Sequence, residues 1–540
     1  MKTSKYIIGI LLSALMITSC VQDLDVKPKD PDIILAGNLD DDPDYVKQFL
    51  GKVYGSFNLA GQGANGGADI TSGDENFFTT MRALWNLQEI TTDEAMCAWG
   101  DAGIADLNTQ TWSPANPFLT AVYQRLGLSI TFANEFIKYT KDNEDPEIVR
   151  YHAEARFLRA LAYAYAIDLF GQFPFTTEED GVGKYFPEIA TRQDLFTFVE
   201  EELEAIIPDL GDPGFSYPQA DKACAYMLLA RLYLNAEVYT GIERWQDCVD
   251  YCNLVEQANV YSLANDYRQN FTADNDAMNN PEMIFAWEQD GVNAQGYIGT
   301  TFLIQSTSDP VFLDSRVIHD LPFNPNWNGN RARKDFLNVL VDTIATYGNV
   351  PIPATDTFFR VNPDTRIYLK QKESINIPNT AASGDFGIGV YKFTNFKLDG
   401  SQADSYNSAF ASTDYPIFRY ADALLMRAEA NFNLGNTGPA AADINAIRER
   451  AFGDQSRNVT GGEVTAQMIL DERGREFYFE GHRRTDLVRH GKFSGGTYLW
   501  QWKGDSFDGT ATGAYRDLFP IPGEEISTNP NYNGINNPGY

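Results

Sequence analysis

Apolar residues recur at three- and four-residue spacing in two neighbouring segments near the C-terminus. The spaced residues are Leu424, Leu425, Ala428 and Phe432 in the first segment, and Ala440, Ile444, Ile447 and Ala451 in the second. This spacing places each set on one face of an α-helix. Residues 435–439 interrupt the pattern with glycines and a proline, which favour turns. The pattern predicts a helical hairpin, followed by a third helix through residues 469–477 that ends at Gly481.

Alanines repeat at the same offsets in three helical segments of the chain. They are Ala153, Ala155 and Ala160 in the first segment, Ala223, Ala225 and Ala230 in the second, and Ala421, Ala423 and Ala428 in the third. Small side chains at this spacing let the first helix of a hairpin approach its partner closely, as in tetratricopeptide-type repeats. A partner helix is predicted beside each segment, at residues 118–139, 244–257 and 439–451. We therefore predict a stack of helical hairpins.

A long polar segment separates the last two copies of the repeat. Residues 262–414 are rich in Asn, Asp, Pro and Gly, and they contain only short strand-like runs, at 283–288 and 388–396. This segment must leave the helical stack and rejoin it. We interpret it as an inserted lobe.

The N-terminal part of the chain returns to helical spacing. Amphipathic patterns at residues 39–54 and 77–90 flank a glycine-rich loop at 60–76. The predicted fold is therefore all-α, with a tetratricopeptide-like hairpin scaffold over residues 40–261 and 415–493. The inserted lobe is irregular and rich in loops, and it carries the short strands.

The first twenty residues have the pattern of an export signal. Two lysines precede an apolar run at 6–17 that is too short for a membrane-spanning helix, which needs about 20 residues. Small residues then lead into Cys20, as in a lipobox, where the cysteine is acylated when the peptide is removed. We predict a signal peptide at 1–19, palmitate-type chains on Cys20 as the only membrane attachment, and one mature domain at 20–540. The alternative is an ordinary secretory signal that contains a cysteine.

The charge balance is strongly acidic. The chain has 74 Asp and Glu against 42 Lys and Arg, which gives a net charge of −32 at pH 7. Because the basic residues form no stripe, nothing drives binding to nucleic acid through its phosphates. A neutral ligand fits better, and most of the acidity is typical of a solvated surface.

The cysteines after Cys20 do not suggest a disulfide framework. We expect Cys97, Cys224, Cys248 and Cys252 to be free and mostly buried thiols. Cys248 and Cys252 lie one helical turn apart, which could indicate a metal pair. Core packing is favoured, because no histidine or further cysteine stands nearby.

Other motifs with a chemical meaning fail on their context. Gly61, Gly63 and Gly66 match the dinucleotide fingerprint, but no strand precedes them. Asp274 and Asp276 resemble the start of a calcium loop without its glycine and terminal glutamate, so calcium stays open beside the simpler interpretation of a hydrophilic turn. The sequence has no catalytic-serine or catalytic-cysteine signature, and it indicates no other cofactor.

Aromatic residues in polar loops are more informative. They are Trp85, Trp99, Trp112, Tyr297 and Trp327. A pyranose ring presents a face of C–H groups that stacks on an indole or phenol, while its hydroxyls need carboxylate, amide or guanidinium partners. The polar neighbours of Trp99 and Tyr297 favour ligand contact there. We interpret Trp85 and Trp112 as core anchors.

Three motifs near the C-terminus closely resemble the SusD/RagB family. The motifs are FRYADALLMRAEANFNLG at 418–435, INAIRERA at 444–451 and ILDERGREFYFEGHRRTDLVRHGKF at 469–493. Further agreement, at 86–95, 153–175 and 517–540, extends the resemblance over nearly the whole mature chain. The members of this family are surface lipoproteins of the Bacteroidetes group that bind glycan for an outer-membrane transporter.

The resemblance implies a single helical body of hairpins with a less regular lobe. It also implies a glycan platform, which in starch-binding members comes from the two aromatic regions. The matching residues are Asp74, Arg82, Trp99 and Tyr297, with Trp327 as a looser match and Asp101 where the family pattern leads us to expect Asn. Asp74 and Arg82 are expected to orient sugar hydroxyls.

The function implied by the resemblance is binding without catalysis. The protein would face the cell exterior from the outer membrane, capture starch or malto-oligosaccharides, and deliver them to a SusC-type TonB-dependent transporter. The same role with another glycan or with peptides is the alternative. An extracellular glycosidase is a third hypothesis, but no residues mark the acid pair that it needs.

Overall fold

Helices dominate the computed structural model, which describes residues 43–61, 70, 79–181, 183, 185–276, 280–297, 299–307, 327–340, 358–360, 364–371, 374–380 and 384–540. The helices are α1 (Pro43–Asn58), α2 (Thr80–Trp85), α3 (Ile104–Thr109), α4 (Pro117–Thr140), α5 (Pro146–Leu169), α6 (Arg192–Ile206), α7 (Lys222–Leu234), α8 (Ala236–Thr240), α9 (Trp245–Gln257), α10 (Gly299–Thr307), α11 (Lys334–Leu340), α12 (Tyr420–Asn433), α13 (Thr437–Phe452), α14 (Ala466–Phe477), α15 (Arg483–Arg489) and α16 (Gly523–Thr528). The strands are β1 (Ala95–Cys97), β2 (Gln172–Pro174), β3 (Ile189–Thr191), β4 (Met283–Trp287), β5 (Asn330–Ala332), β6 (Phe358–Arg360), β7 (Tyr368–Gln371), β8 (Ile388–Val390) and β9 (Tyr415–Arg419). The predicted all-α class with short strands is confirmed.

Local sequence sets where the long helices begin. The Asp145 side chain accepts hydrogen bonds from the amides of Glu147 and Ile148, at 2.8 and 3.4 Å, and Pro146 occupies the first helical position of α5. A carboxylate at this position satisfies amides that have no partner within the helix, and proline fits there because it lacks an amide hydrogen. Asn116 caps α4 in the same way.

The helices pack as stacked hairpins. α4 packs on α5, α7 on α9 and α12 on α13. α9 also contacts α12, although the inserted lobe separates these two helices in the sequence. The nine repeated alanines of the three segments are each at most 2% exposed. This burial confirms that small side chains line the helix contacts, and the α9–α12 contact confirms that the insertion rejoins the stack.

Strands join the lobe to the scaffold. β4 pairs antiparallel with β9, which runs directly into α12. A second sheet has the order β1-β5-β8-β7-β6, so β1 from the N-terminal part of the chain forms its edge. The strand predicted at 283–288 is confirmed, whereas the one predicted at 388–396 ends at Val390.

Two predicted helices are interrupted. The helical pattern at 77–90 gives only α2, which begins after its cap Thr79 and passes into a π-helical turn at Asn86–Ile90. α14 ends at Phe477, four residues before Gly481, because the backbone leaves helical geometry at Tyr478 and Phe479. The amides of Phe479 and Gly481 instead donate to carboxylates from the π-helical region and the loop after it.

Buried ion pairs also fasten the lobe to the scaffold. The cluster consists of Arg366, Arg419, Arg450, Glu282, Glu472, Glu476 and Glu480. Arg366 from the lobe lies 2.8 Å from Glu472 of α14, and Arg450 of α13 lies 2.6 Å from Glu476. A charged side chain is costly to bury without a partner of opposite charge, so each member of the cluster is needed to compensate the charge of its neighbours.

The four thiols Cys97, Cys224, Cys248 and Cys252 are buried and free, as predicted. Cys248 and Cys252 belong to the hydrophobic core between the hairpins, which supports their role in packing. Among the helices that the structure describes, none combines the length and the apolar character that a bilayer crossing needs.

Candidate functional site

Four aromatic side chains contact one another in succession, and we call Trp99, Trp327, Tyr297 and Phe410 the aromatic row. Successive ring centroids are 6.2, 5.7 and 5.1 Å apart. The ring planes are tilted by 59°, 61° and 46° in the same order. Tyr297 is 38% exposed, Trp99 and Trp327 are half-buried, and Phe410 is buried. The row therefore presents three partly open rings, and Phe410 supports Tyr297 from below.

Strand pairing positions Trp99. β1 pairs with β5, and just before Trp99 the amide of Ala98 donates to the carbonyl of Gly329 at 2.8 Å. The indole Nε1 of Trp99 donates to the carbonyl of Trp327 at 3.1 Å. The amide of Trp327 in turn donates to the carbonyl of Gln305 at 2.9 Å. Since the indole nitrogen bonds to the protein, a ligand would meet the ring of Trp99 through its carbon face.

Gly329 packs against the indole ring of Trp99. A Cβ atom added at Gly329 would lie 2.6 Å from the indole Nε1 and would overlap the neighbouring ring carbons. Glycine permits this close approach because it has no side chain. The backbone of Gly329 is therefore one wall of the slot that holds Trp99.

Arg82 forms the support behind Trp99. Its guanidinium carbon lies 5.3 Å from the Trp99 ring centroid and 4.6 Å from that of Phe302, within the range of cation–π contacts. Arg82 is 3% exposed and Phe302 is fully buried. The role of Arg82 as a partner of sugar hydroxyls stays a prediction. Its contacts fit a residue that positions Trp99.

Of the two aspartates predicted to bind sugar, the structure describes Asp101 but not Asp74. Asp101 is half-buried two residues beyond Trp99, and its carbonyl accepts a hydrogen bond from the amide of Ile104 at 3.1 Å. Its carboxylate as a hydroxyl partner stays a prediction. Asp74 lies outside the described residues.

Trp85 and Trp112 are core residues, as predicted. Each is 1% exposed. The indole of Trp85 donates to the carbonyl of Phe479, and that of Trp112 donates to the Tyr540 hydroxyl at 2.8 Å.

Glu89 and Glu94 form a buried pair of carboxyl groups whose pKa values are both raised. Burial raises the pKa of Glu89 to about 7, and burial together with the nearby Glu89 raises the pKa of Glu94 well above its ordinary value. The two side chains are 0% and 1% exposed, and their oxygens accept hydrogen bonds from the amides of Phe479, Gly481 and His482. The pair thus holds the turn after α14 and has no access to a ligand.

The calcium candidates make ordinary loop contacts. The Asp274 carboxylate accepts a hydrogen bond from the amide of Leu398 at 3.0 Å, and the Asp276 carbonyl accepts one from the amide of Asn280 at 3.0 Å. In the described part of the chain, no three His, Cys, Asp or Glu side chains are grouped so that they could hold a metal ion. Calcium at these aspartates stays a prediction.

Three residues of the site were not predicted from the sequence. Phe302 lies in an apolar helical run, and Phe410 lies between alanines and serines, so neither has the polar company that marked Trp99. Gly329 had one available signal, which is its place two residues after Trp327 in an asparagine-rich segment. Their contacts depend on the tertiary structure.

The fold and the site together define a class: a stack of helical hairpins with partly open aromatic rings where the scaffold and the inserted lobe meet. The chain belongs to the SusD family. The family model of that name matches residues 326–540. The chain is also 35% identical, over all of both chains, to the starch-binding protein SusD of Bacteroides thetaiotaomicron.

The chain is also similar to further proteins and solved structures. SusD-like protein P25 of Formosa agariphila is 25% identical over 70% of each chain. A SusD-like carbohydrate binding protein of Bacteroides fragilis has a TM-score of 0.70 at 18% identity, with 91% of this chain and 99% of that chain covered. Surface glycan-binding protein A of Bacteroides thetaiotaomicron, solved in complex with laminarihexaose, has a TM-score of 0.64 at 18% identity, with 92% and 99% covered.

Proposed function

We propose that this protein is a cell-surface glycan-binding lipoprotein that captures starch or malto-oligosaccharides on its aromatic row. It then delivers them to a SusC-type TonB-dependent transporter in the outer membrane. The observation that carries the proposal is the succession of Trp99, Trp327 and Tyr297, whose rings are partly open and fixed by backbone contacts.

Ring geometry supports a sugar ligand. The faces of pyranose rings are apolar and stack on aromatic carbon, and each stacked ring contributes about 0.5–1.5 kcal/mol by analogy with aromatic pairs. Two or three such contacts with a few hydrogen bonds correspond to dissociation constants of about 1 μM to 1 mM. A site that must release its ligand to a transporter needs affinity of this modest size.

The tilt between rings favours an α-glucan. Because the planes of the three partly open rings differ successively by 59° and 61°, the rings do not share one plane, and a ligand that contacts all three must follow a curve. A helical chain such as amylose follows a curve, whereas a flat ribbon-like glycan would need coplanar rings. The name of the relative from Bacteroides thetaiotaomicron, a starch-binding protein, points in the same direction.

The remaining parts of the proposal concern placement. Residues 1–19 would be removed, and acyl chains on Cys20 would anchor a single domain at 20–540 to the outer membrane, facing the exterior. Two hydrophobic chains are about what stable anchoring requires. The transporter partner is inferred from family membership, and it is tested by copurification from membranes.

Other ligands and activities remain to be distinguished. The laminarihexaose bound to a structural neighbour shows that this fold accepts a different glucan, so another glycan is the first alternative. A peptide ligand is disfavoured, since it needs backbone-pairing edges more than open rings. A glycosidase is disfavoured because no residues of the sequence mark the acid pair that it needs. A reducing-sugar assay on soluble starch tests that activity.

Affinity electrophoresis in gels with and without amylopectin tests the binding proposal. We expect the wild type to be retarded and Trp99→Ala to lose most of that retardation. Tyr297→Ala should be retarded less than the wild type, because we expect its affinity for amylopectin to be about twofold to tenfold lower. Tyr297→Phe is the matched control, because it keeps the ring and should behave as the wild type.

The outcomes separate the parts of the proposal. If both alanine variants migrate like the retarded wild type, glycan binding lies elsewhere on the protein. If the wild type is not retarded by amylopectin but binds another polysaccharide on a glycan array, the starch assignment fails and the glycan class stands.

A further inference from the structure

A second pair of aromatic rings lies in the loop between α15 and α16. The centroids of Trp502 and Phe507 are 5.7 Å apart and their planes stand at 88°, so the rings form two walls of a corner. Phe507 is 38% exposed and Trp502 is half-buried. We call Trp502 and Phe507 the ring corner, and the aromatic row does not include it.

The loop holds Trp502 in one position. Its φ of 74° lies in the left-handed region, which a bulky residue adopts only where its surroundings enforce it. The amide of Trp502 donates to the carbonyl of Ser506 at 2.9 Å, and the amide of Asp505 donates back to Trp502 at 3.2 Å. The indole Nε1 donates to the carbonyl of Ile377 at 2.8 Å. Such enforced conformations cluster at binding sites, where they fix the contact surface in advance.

The ring corner repeats the construction of the aromatic row. In both places an indole nitrogen is bonded to a backbone carbonyl, so the ring offers carbon atoms to a ligand. In both places a cation lies near a ring: the Arg82 guanidinium carbon is 5.3 Å from the Trp99 centroid, and the Lys334 Nζ is 5.0 Å from the Phe507 centroid. The ring corner differs from a core tryptophan such as Trp112 in its exposure, since Phe507 is 38% exposed.

The size of the ring corner suits a sugar better than a protein. Phe and Trp side chains bury about 150–250 Å² each, whereas a stable protein interface needs about 800 Å² from each partner. Asp505, Asp508 and Thr510 are exposed beside the rings and offer the oxygen atoms that sugar hydroxyls require. An exposed aromatic ring with a polar rim offers a surface for the C–H face of a pyranose and oxygen atoms for its hydroxyls.

β1 connects the ring corner to the aromatic row along the chain. Trp502 packs on Met96 and Ile377, and Met96 lies in β1. Trp99 is three residues further along the chain, which is about 10 Å in an extended segment, and its side chain points to the opposite side of that segment from Met96. Because β1 is an edge strand, only a chain long enough to pass around this edge could contact both places. We infer that the ring corner is a second glycan contact, which takes a pyranose unit of the polysaccharide held by the row. This inference rests on the proposed function. The second contact would raise the affinity for long glycan chains, which reach both places, relative to short ones.

A comparison of a short and a long ligand tests the inference. Maltotriose is titrated by calorimetry, and amylopectin is used in affinity gels. We expect Phe507→Ala to bind maltotriose like the wild type and amylopectin about twofold to tenfold more weakly. Phe507→Tyr keeps the ring and should match the wild type. The control Phe215→Ala, which removes a 52% exposed ring elsewhere, should also leave both measurements unchanged.

Trp502→Gly provides a second variant, because glycine tolerates a positive φ while the ring is removed. Thermal melts check that the variants fold. If both ring-corner variants bind amylopectin like the wild type while Trp99→Ala does not, the second contact is refuted and the proposed function stands. If the affinity of these variants for maltotriose falls as much as their affinity for amylopectin, the ring corner is not a contact separate from the aromatic row.

Two more results would overturn the inference. If glycan binding is unchanged but copurification of the transporter falls, the corner is a protein contact. If the wild type binds no polysaccharide on an array, the proposed function fails and the second contact fails with it.

Discussion

Gly329→Ala tests whether the slot that holds Trp99 determines binding. The new methyl group would lie 2.6 Å from the indole Nε1, whereas ordinary contacts between such atoms are about 3.5 Å or more. The ring or the strand must therefore move by about 1 Å. The hydrogen bond from Nε1 to the Trp327 carbonyl, which is 3.1 Å long, would be stretched or lost.

The size of the effect follows from these contacts. Adding a methylene-sized group to a packed site costs about 1–3 kcal/mol of stability, and the weakened hydrogen bond accounts for about 0.5–1.5 kcal/mol of that loss. If Trp99 turns away from the row, one stacking contact with sugar is lost, which is worth about 0.5–1.5 kcal/mol. We therefore expect affinity for maltoheptaose to fall by about twofold to tenfold.

The assay combines calorimetric titration of maltoheptaose with thermal melts. Gly100→Ala is the matched control: it changes the residue next to Trp99, yet a Cβ there would have no neighbour within 4 Å. Its affinity and thermal midpoint should stay close to those of the wild type. If Gly329→Ala retains both wild-type affinity and wild-type stability, the indole is not held by this wall and our account of the slot is wrong.

Three further predictions concern stability and anchoring. Ala160→Leu should destabilise by about 1–3 kcal/mol through overpacking between hairpins, while the exposed Ala442→Leu should not; equal thermal midpoints would refute the packing. The pKa of Glu89 is about 7 in the fold and 4.5 as its ordinary value, so the folded state holds this proton more tightly. As the pH rises from 4.5 to 7, the unfolding free energy should therefore fall by up to about 3 kcal/mol. In urea titrations over this pH range, Glu89→Gln should show a smaller fall than the wild type. The same pH dependence of the unfolding free energy in both proteins would contradict this prediction. Cys20→Ala should abolish incorporation of a fatty-acid analogue and release the protein from the membrane, and equal labelling of both forms would exclude lipidation at this residue.

The helical hairpins were predictable because their signal is local. Ala160 and its counterparts recur at offsets set by the helix itself, and burial of these positions requires no knowledge of distant partners. The sheet was not predictable in the same way. β1 and β5 have three residues each and pair Ala95 with Ala332, so neither strand has a period long enough to detect.

The candidate site shows the same division. Trp99, Trp327 and Tyr297 stood out as rings in polar loops, and the structure brings them into contact. The sequence did not indicate that Arg82 lies behind an indole, because its burial depends on Phe302 from a segment more than 200 residues away. Charge and spacing suggest which chemistry is available, but only tertiary contacts decide which side chain faces a ligand.

The contact between α9 and α12 has a consequence for the order of folding. About 160 residues separate the two helices, so closing this loop costs about 2.5 kcal/mol more in chain entropy than a ten-residue connection would. The first hairpins, including α7 with α9, can form from neighbouring sequence, whereas the contact of α9 with α12 must wait for the chain beyond the lobe. Until then the Cys248 thiol, which in the folded protein contacts the carbonyl of Met426 in α12, has no cover from that helix. Its accessibility to a thiol reagent during refolding therefore reports when the two ends of the scaffold meet.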